Sequence, residues 1–334
     1  MLKGYMIAAT ALGLTAGCSS PNPGYTTVEG VMLGTSLRVV AEVPHTSAQE
    51  LYTAIMELDR EAKASMSIFD EQSLLSRLNR NLTDSVDHHI AYCLHLADSI
   101  GALSGGRYDV TVKPLVEAWG FAGKAAQQEP NVDSILVFVG RDKVHIENGR
   151  LVKSDPRVQL DFNSVAKGYT VDLVAELVER LGARNYLVDI GGEVRCRGVN
   201  PRGKAWRIGV ETPFEGNMTD GDFIQKRVSL TDGALATSGN YRRFYLDDKG
   251  RKVAHTLDPR TGRSVLSRLL SVTVAAPTCA EADALGTMFM ALGADEALAT
   301  VGRMPDLKAY FILATESGEY EEYVSPAMQA QIMN

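Results

Sequence analysis

Apolar residues recur at intervals of three and four positions in several long stretches of the chain. In residues 48–65 this spacing places Leu51 and Ile55 on one side of an amphipathic helix. The same pattern predicts two further long helices over residues 87–103 and 279–292. Shorter helices are predicted over residues 74–79, 114–121, 170–181 and 295–301.

Short apolar runs and alternating apolar and polar residues, most of them bounded by turn residues, predict β-strands. A first pair of strands occupies residues 28–43 and turns at Gly34-Thr35. The other predicted strands are 108–112, 135–139, 144–146, 151–153, 186–190, 193–199, 205–211, 229–230, 234–238, 242–245, 252–257, 270–276 and 307–315, the last of the chain. Helices mixed with strands that are mostly joined as hairpins indicate an α+β fold. We expect mixed, mostly antiparallel sheets with packed helices, in a single domain over residues 28–334.

Residues 160–172, LDFNSVAKGYTVD, concentrate more potential chemistry than any other window of this length. Their apolar pattern predicts the end of a strand that runs into a helix. Between the two lie Asp161, Asn163 and Ser164, whose oxygens suit the unpartnered N–H groups of a helix start. With Lys167 nearby, this helix start could seat a phosphate and a metal ion together. The simpler interpretation is an ordinary capped helix.

The N-terminus differs from the rest of the chain. A basic residue precedes an apolar run over residues 6–16, which is too short to span a bilayer. The junction Thr15-Ala16-Gly17-Cys18 resembles a bacterial lipobox, which is cut before the cysteine. We therefore expect residues 1–17 to be a lipoprotein signal peptide, Cys18 to be lipidated, and residues 18–27 to form a tether. The protein would then lie in the cell envelope, on the periplasmic side, anchored to the membrane by lipid.

Charge and cysteine content exclude some classes of protein. The net charge of −7 and the absence of a run of Lys and Arg argue against nucleic-acid binding. Beyond Cys18, the chain has Cys93, Cys196 and Cys279, which are too far apart for a CxxC metal or redox motif. Their odd number argues against a disulfide framework, so we expect each to be a small buried apolar residue.

Two motifs that resemble functional sites have simpler structural interpretations. Residues 198–204, GVNPRGK, nearly spell a P-loop, but Ala205 stands where the metal-binding Ser or Thr belongs. The segment also lies between two predicted strands, so we interpret it as a hairpin loop. His88, His89 and His95 could suggest a metal site, yet the first two point to different faces of one helix. We interpret that helix as solvated.

Residues 255–262, HTLDPRTG, are harder to dismiss. A turn explains the Pro and the Gly, but it does not explain why His255, Asp258 and Arg260 occur together on one short bend. Such a group suits a general base combined with an anion contact.

Asp283 and Thr287 are four residues apart near the start of one predicted helix, so their oxygens face the same side. Together with an oxygen from Asn163 or Ser164, they would form a hard, oxygen-only site suited to Mg²⁺. Without further evidence the pair is also an ordinary helix-start pattern.

Taken together, these segments resemble the ApbE family, the Mg²⁺-dependent FAD:protein FMN transferases. The resemblance covers nearly all of residues 28–315 and rests on eight motifs in the same order as in the family. They are Leu33-Gly34-Thr35; Met66–Asp70 with Ser73 and Asn79; residues 106–121; residues 160–172; residues 188–193, VDIGGE; residues 237–241, TSGNY; residues 255–262; and residues 282–287, ADALGT.

The resemblance implies an ApbE-type, T-fold-like catalytic domain and assigns roles to individual residues. Implied flavin contacts are Leu33, Phe69, Arg107, Tyr108, Asp109, Asp161, Lys167 and Leu257. Implied metal ligands are Ser164, Asp283 and Thr287, and the implied base is His255. The sequence departs from the family where Leu33 replaces a usual Met, where Asn163-Ser164 stands at a variable pair, and where Gly286 replaces a frequent Ala.

The reaction that the resemblance implies transfers FMN from FAD to a threonine hydroxyl of an acceptor flavoprotein, for example a subunit of a membrane redox complex, and releases AMP. FAD is then a substrate and Mg²⁺ the cofactor. Phosphoryl transfer of this kind needs positioning and charge neutralisation more than covalent chemistry by the enzyme. Two alternatives stay open: a Mg²⁺-dependent FAD pyrophosphatase that yields FMN and AMP, and a flavin-binding lipoprotein without turnover.

Overall fold

The structure, a computed structural model, describes residues 24–122, 129–212, 224–240, 244–246, 250 and 252–333. The predicted signal peptide, Cys18 and the first part of the predicted tether lie outside these residues, as does part of the predicted strand 242–245. Among the helices that the structure describes, none is both long enough and apolar enough to cross a membrane.

The elements follow the predicted order closely. The helices are α1 (Ala48–Met66), α2 (Leu74–Asn79), α3 (His88–Leu103), α4 (Lys113–Ala118), α5 (Val132–Leu136), α6 (Ala166–Arg180), α7 (Cys279–Leu292) and α8 (Ala294–Gly302). The strands are β1 (Tyr25–Met32), β2 (Thr35–Glu42), β3 (Val144–Glu147), β4 (Arg150–Lys153), β5 (Tyr186–Ile190), β6 (Glu193–Arg197), β7 (Trp206–Glu211), β8 (Ile224–Leu230), β9 (Asp232–Gly239), β10 (Phe244–Leu246), β11 (Lys252–Ala254), β12 (Leu257–Asp258), β13 (Arg263–Ser264), β14 (Leu269–Ala276), β15 (Lys308–Ala314), β16 (Tyr320–Val324) and β17 (Ile332–Met333).

An eight-stranded sheet forms the centre of the fold, with the strand order β1-β2-β5-β6-β9-β14-β15-β16. Each pair of neighbouring strands in it is antiparallel. A three-stranded sheet, β17-β8-β7, and the two-stranded ribbons β3-β4, β10-β11 and β12-β13 complete the described sheets. The predicted α+β fold with antiparallel sheets and packed helices is therefore confirmed.

The central sheet is sandwiched between helices and the three-stranded sheet. In β2, Val39 belongs to the apolar cluster beneath α1 and α6, whereas Val40 packs with Trp206 and Val228 of the smaller sheet. This alternation follows from the two-residue period of a strand. Farther along the helical face, α7 packs on β15, where the Phe289 and Phe311 rings meet edge to face at 5.4 Å. The fold therefore has three layers, and α6 and α7 lie side by side in the helical one.

The predicted strands 108–112 and 135–139 are wrong. Asp109 begins a 3₁₀ turn, Val110–Val112, because its carboxylate accepts the Thr111 N–H at 2.8 Å. Residues 135–139 instead complete α5 and leave it through two tight turns. Both segments carry apolar residues at strand-like spacing, but short side-chain and turn hydrogen bonds satisfy their backbones locally.

The predicted strand end at residues 158–162 is also wrong, although its burial pattern resembles that of a strand. Leu160 is fully buried, yet its backbone pairs with a side chain instead of a neighbouring strand. The Asn79 amide accepts the Leu160 N–H at 2.7 Å and donates to the Leu160 carbonyl at 2.8 Å. Asp161 N–H donates to the Val110 carbonyl at 2.7 Å. The segment is thus held extended and leads directly into α6.

The prediction that residues 307–315 form the last strand is wrong, because β16 and β17 follow. The loop 198–204 joins β6 to β7, which belong to different sheets, so it is not a hairpin. The three cysteines beyond Cys18 are buried and unpaired, as predicted.

The prediction that the helix with His88, His89 and His95 is solvated is wrong for His89. His89 is buried with its Nδ1 3.2 Å from the Tyr169 hydroxyl, whereas His88 and His95 are exposed. In the part of the chain that the structure describes, no group of three or more His, Cys, Asp and Glu residues could hold a metal ion.

Candidate active site

A cavity of about 380 Å³ opens between α6, α7 and the loops that face them. This volume is within the usual range for a small-molecule site. All the predicted binding, metal and catalytic residues in the described chain except Leu33 line it: Phe69, Arg107, Tyr108, Asp109, Asp161, Ser164, Lys167, His255, Leu257, Asp283 and Thr287. The fold therefore brings together residues from five separate segments of the sequence.

The start of α6 has no side-chain cap, contrary to the prediction for Asp161, Asn163 and Ser164. The helix begins at Ala166, earlier than the predicted residue 170. The Asp161 carboxylate accepts the Asn163 N–H at 2.8 Å, and the Ser164 hydroxyl is hydrogen-bonded to the Tyr108 hydroxyl at 2.9 Å. These bonds stop short of the helix, so its free N–H groups need partners from elsewhere.

One such partner comes from α7. The Asp283 carboxylate accepts the Gly168 N–H at 3.0 Å, across 115 residues of sequence. Only glycine permits this approach, because a Cβ at residue 168 would lie 2.3 Å from the Cys279 carbonyl oxygen. Asp283, a predicted metal ligand, therefore lies where α6 and α7 are in direct contact.

A second carboxylate crosses in the opposite direction. Asp172, on α6, accepts the N–H groups of Cys279 at 2.9 Å and Ala280 at 2.8 Å. These are the first two residues of α7, whose unpartnered N–H groups favour an anion. Arg195 pairs with the same carboxylate at 2.7 Å, so its buried charge is compensated. Asp172 and Asp283 thus fasten the two helix starts to each other.

Buried charge is concentrated beside this junction. The Lys167 ammonium forms an ion pair with Glu193, the first residue of β6, whose carboxylate is only 5% exposed. Burial raises the pKa of Glu193, the attraction of Lys167 acts to lower it, and the repulsion of Asp283 acts to raise it. Burial also raises the pKa of Asp283. Although burial acts to lower it, the pKa of Lys167 is raised by Glu193 and Asp283.

Glu193 is the charged residue of the described cavity lining to which the sequence analysis gave no role. It belongs to the VDIGGE motif, but no role was attached to it. A signal was present, since a carboxylate follows the Gly191-Gly192 turn at the start of a strand whose next residues alternate apolar and polar. The identity of its partner, Lys167, depends on the packing of α6 against β6 and is not readable from spacing.

The oxygen atoms near Asp283 fit a hard divalent cation. Asp283, Thr287 and Ser164 offer one carboxylate and two hydroxyls, with no nitrogen or sulfur donor. Mg²⁺ typically binds through one or two carboxylates and completes its shell with water and substrate phosphates. One Asp283 oxygen accepts the Gly168 N–H, and among the described residues no hydrogen bond to the other is found. The donor set therefore suits Mg²⁺ together with a phosphate-bearing substrate.

The opposite side of the cavity is a loop that carries His255. The imidazole lies edge-on to the Phe121 ring, with centroids 6.3 Å apart. Next to it, the Thr256 hydroxyl donates to the Asn240 amide oxygen at 2.7 Å. Asp258 closes the turn that follows, since its carbonyl accepts the Gly262 N–H at 2.8 Å.

Asp258 and Arg260 do not join His255 at the cavity surface, contrary to the expectation for this bend. Their side chains are 3.5 Å apart at the turn, and Asp258 also faces Arg107 at 3.6 Å. Arg107 in turn pairs with Glu296 at 2.8 Å. Its buried Nε has no hydrogen-bond partner among the described residues. The anion contact at this side therefore falls to Arg107.

The remaining predicted flavin contacts differ in their exposure. Tyr108 and Asp109 are buried, whereas the Phe69 ring is 76% exposed at the mouth of the cavity. Leu33 lies outside the lining: it packs against the apolar cluster beneath α1, and its N–H faces the Asp59 carboxylate at 3.3 Å. Its predicted flavin contact stays a prediction, and Cys18 lies outside the described residues.

Comparisons with known proteins agree with this geometry. The ApbE family model matches residues 33–311. The chain is similar to the FAD:protein FMN transferase of Haemophilus influenzae, with 34% identity over 334 residues that cover 95% of this chain and 94% of that protein.

Two solved structures are also similar. One is the flavin transferase ApbE from Vibrio cholerae, with a TM-score of 0.80, 31% identity, and coverage of 92% of this chain and 99% of that chain. The other is the apo form of the Pseudomonas stutzeri flavinyl transferase ApbE, with a TM-score of 0.82, 28% identity, and coverage of 92% and 96%.

Proposed function

The chain belongs to the ApbE family, and on that premise we propose that it is a FAD:protein FMN transferase, which moves FMN from FAD to a target flavoprotein. The observation that carries the proposal is the cavity itself. It combines oxygens of Asp283 and Thr287 that suit a cation, the ammonium of Lys167, and the imidazole of His255 on the facing loop. Those are the groups that transfer of a phosphoryl unit requires.

The acceptor is a threonine hydroxyl in the proposed reaction. His255 accepts the hydroxyl proton as the threonine oxygen bonds to the FMN-side phosphorus of FAD. The bond between that phosphorus and the bridging oxygen breaks, and AMP leaves with the bonding electron pair. Lys167 and Arg107 offset negative charge on the phosphates. Bound at Ser164, Asp283 and Thr287, Mg²⁺ would supply the further positive charge that the pyrophosphate needs.

A transfer assay tests the proposal. The chain is mixed with FAD, MgCl₂ and an acceptor flavoprotein fragment, and the products are measured as in-gel flavin fluorescence and released AMP. We expect a fluorescent acceptor and AMP in equal amounts, and neither when the acceptor threonine is replaced by valine or when EDTA is added. Failure to label a competent acceptor would contradict the proposal.

The same assay separates the alternatives. FMN and AMP formed without acceptor would indicate a pyrophosphatase, in which water replaces the threonine. FAD retained on the protein without AMP release would indicate a flavin-binding lipoprotein without turnover. A transferase should release AMP only slowly until the acceptor is present.

We also propose that the protein is anchored in the cell envelope by lipid on Cys18, with its cavity on the periplasmic side. Support comes from the lipobox-like junction of residues 15–18. Expressed in a bacterium, the wild-type chain should fractionate with membranes and incorporate labelled palmitate. Cys18→Ala should incorporate none and leave the membrane fraction, and equal labelling of the two chains would contradict the anchor.

A further inference from the structure

Glu193 is a buried charge at the cavity that the proposed reaction leaves without a role. Its side chain is only 5% exposed, and it lines the same cavity as Lys167 and Asp283. Removing a carboxylate from water is costly unless a partner compensates it. A buried carboxylate at this position therefore depends on the group that pairs with it.

That partner is the Lys167 ammonium. It forms an ion pair with Glu193 Oε2, an oxygen with no hydrogen-bond partner in the described ranges. Lys167 is the second residue of α6. The next residue, Gly168, donates its N–H to the Asp283 carboxylate. The ammonium is paired with Glu193 and also interacts electrostatically with the buried Asp283 carboxylate, since each of the two groups shifts the pKa of the other.

The choice between the two carboxylates has a chemical consequence. A lysine carries a compact charge on a flexible stem, so it follows the strongest nearby anion. If it paired with Asp283, it would neutralise the carboxylate that a divalent cation needs. Pairing with Glu193 keeps the ammonium at the cavity and leaves the second Asp283 oxygen unoccupied.

We propose that Glu193 is a positioning residue, which holds the Lys167 ammonium away from Asp283 and so keeps Asp283 available to the divalent cation. The proposal deepens the proposed function and rests on it for the identity of the cation. Glu193 needs no contact with substrate in this role, since it acts through Lys167.

The test measures the Mg²⁺ concentration that half-saturates FAD binding, followed by flavin fluorescence quenching. Glu193→Gln keeps the volume of the side chain and removes its charge. We expect the required Mg²⁺ concentration to rise about 10- to 100-fold, the usual effect of losing a residue that orients a ligand of a metal. Glu179→Gln is the control, because that carboxylate also pairs with a cationic side chain, Arg197, but does not line the cavity.

A second variant distinguishes positioning from a general structural role. In Glu193→Gln/Lys167→Met no ammonium is left to compete for Asp283. The readout is the Mg²⁺ affinity of the FAD-free protein, measured by calorimetry, because Lys167 has no phosphate to contact there. This affinity should fall in Glu193→Gln and return to within about threefold of the wild-type value in the double variant. A purely structural role for Glu193 would leave the double variant as impaired as the single one. Thermal melting of each variant checks that the cavity is still folded.

Either of two results with the variants would overturn the inference alone: an unchanged Mg²⁺ requirement in Glu193→Gln, or no recovery of the Mg²⁺ affinity in the double variant. If the wild-type chain bound FAD without any dependence on Mg²⁺, the inference and the metal assignment would both fail. If the wild-type chain showed Mg²⁺-dependent FAD binding but labelled no acceptor, only the proposed function would fail.

Discussion

The cavity has two sides that are held in different ways. The helical wall, formed by the starts of α6 and α7 with Glu193, is joined by bonds between residues far apart in sequence. Gly168 and Asp283 are 115 residues apart, and Asp172 and Cys279 are 107 apart. The loop wall, residues 255–262, combines bonds within its own turn, as from Arg260 N–H to the Asp258 carboxylate two residues away, with single neutral bonds to distant residues, as from the Trp119 indole N–H to the Gly262 carbonyl at 2.7 Å.

This difference separates two requirements of the proposed chemistry. Cation and phosphate binding need charges fixed before the substrate arrives, and the buried carboxylates of the helical wall provide them. The base on the loop wall has only to reach a hydroxyl that the acceptor brings. The helical wall should therefore be far more sensitive to substitution than the loop wall.

Asp172→Asn should have the largest effect on stability. The change removes one partner of a buried ion pair and leaves Arg195 facing an amide, which typically costs about 3–5 kcal/mol. Urea denaturation should show this loss in the free energy of unfolding. The control is Asp84→Asn, which removes an exposed pair with Arg150 and should leave the midpoint unchanged. Equal effects of the two substitutions would contradict the conclusion that Asp172 fastens α6 to the start of α7.

Gly168→Ala should be the next most damaging. The added methyl group meets the Cys279 backbone, which cannot rotate away, so the helices must separate. We expect a loss of about 1–3 kcal/mol in the free energy of unfolding, as for other overpacked sites. Gly302→Ala is the matched control, since nothing lies within 4 Å of its Cβ position. A Gly168→Ala protein as stable as Gly302→Ala would show that the helices do not touch there.

Thr256→Val tests the loop wall and should cost less. It removes the hydroxyl that donates to Asn240 and preserves the shape of the side chain. The expected loss is about 1 kcal/mol, measured by the same denaturation. Thr53→Val on the exposed face of α1 is the control for the swap itself. A loss as large as that for Asp172→Asn would mean that the two walls are equally constrained.

Gly286→Ala should have the smallest effect. A methyl group here would lie 2.8 Å from the Ser238 hydroxyl, which can rotate. We expect less than about 1 kcal/mol of lost stability, and full recovery when Ser238→Ala is added. Recovery in the double variant would show that the Ser238 side chain is what disfavours alanine at residue 286, and continued loss would contradict that explanation.

The sequence predicted the long helices well because their pattern is local. α7 begins and ends where predicted, and α1 and α3 differ by one residue. The strand-like run at residues 158–162 misled the prediction because alternating burial does not require a strand partner. There Asn79, 81 residues away, supplies the bonds that a neighbouring strand would provide.

The sequence could predict which residues form the candidate site but not the contacts that hold them in place. The motifs that resemble the ApbE family identified Lys167, Asp283 and His255, and these line one cavity. Spacing could not show that Asp283 binds the start of α6, or that Glu193 pairs with Lys167. Both contacts depend on how α6 packs against α7 and β6, which no local pattern encodes.

We assign cation binding to the helical wall and the base to the loop wall. This assignment is tested most directly by measuring FAD binding as a function of Mg²⁺ concentration in two variants. His255→Gln should keep the wild-type Mg²⁺ dependence of FAD binding, while its transfer rate falls about 10²- to 10⁴-fold for want of a base. Asp283→Asn should lose the Mg²⁺ dependence itself. If His255→Gln lost Mg²⁺-dependent binding, or Asp283→Asn retained it, the assignment of cation to the helical wall and base to the loop wall would be wrong.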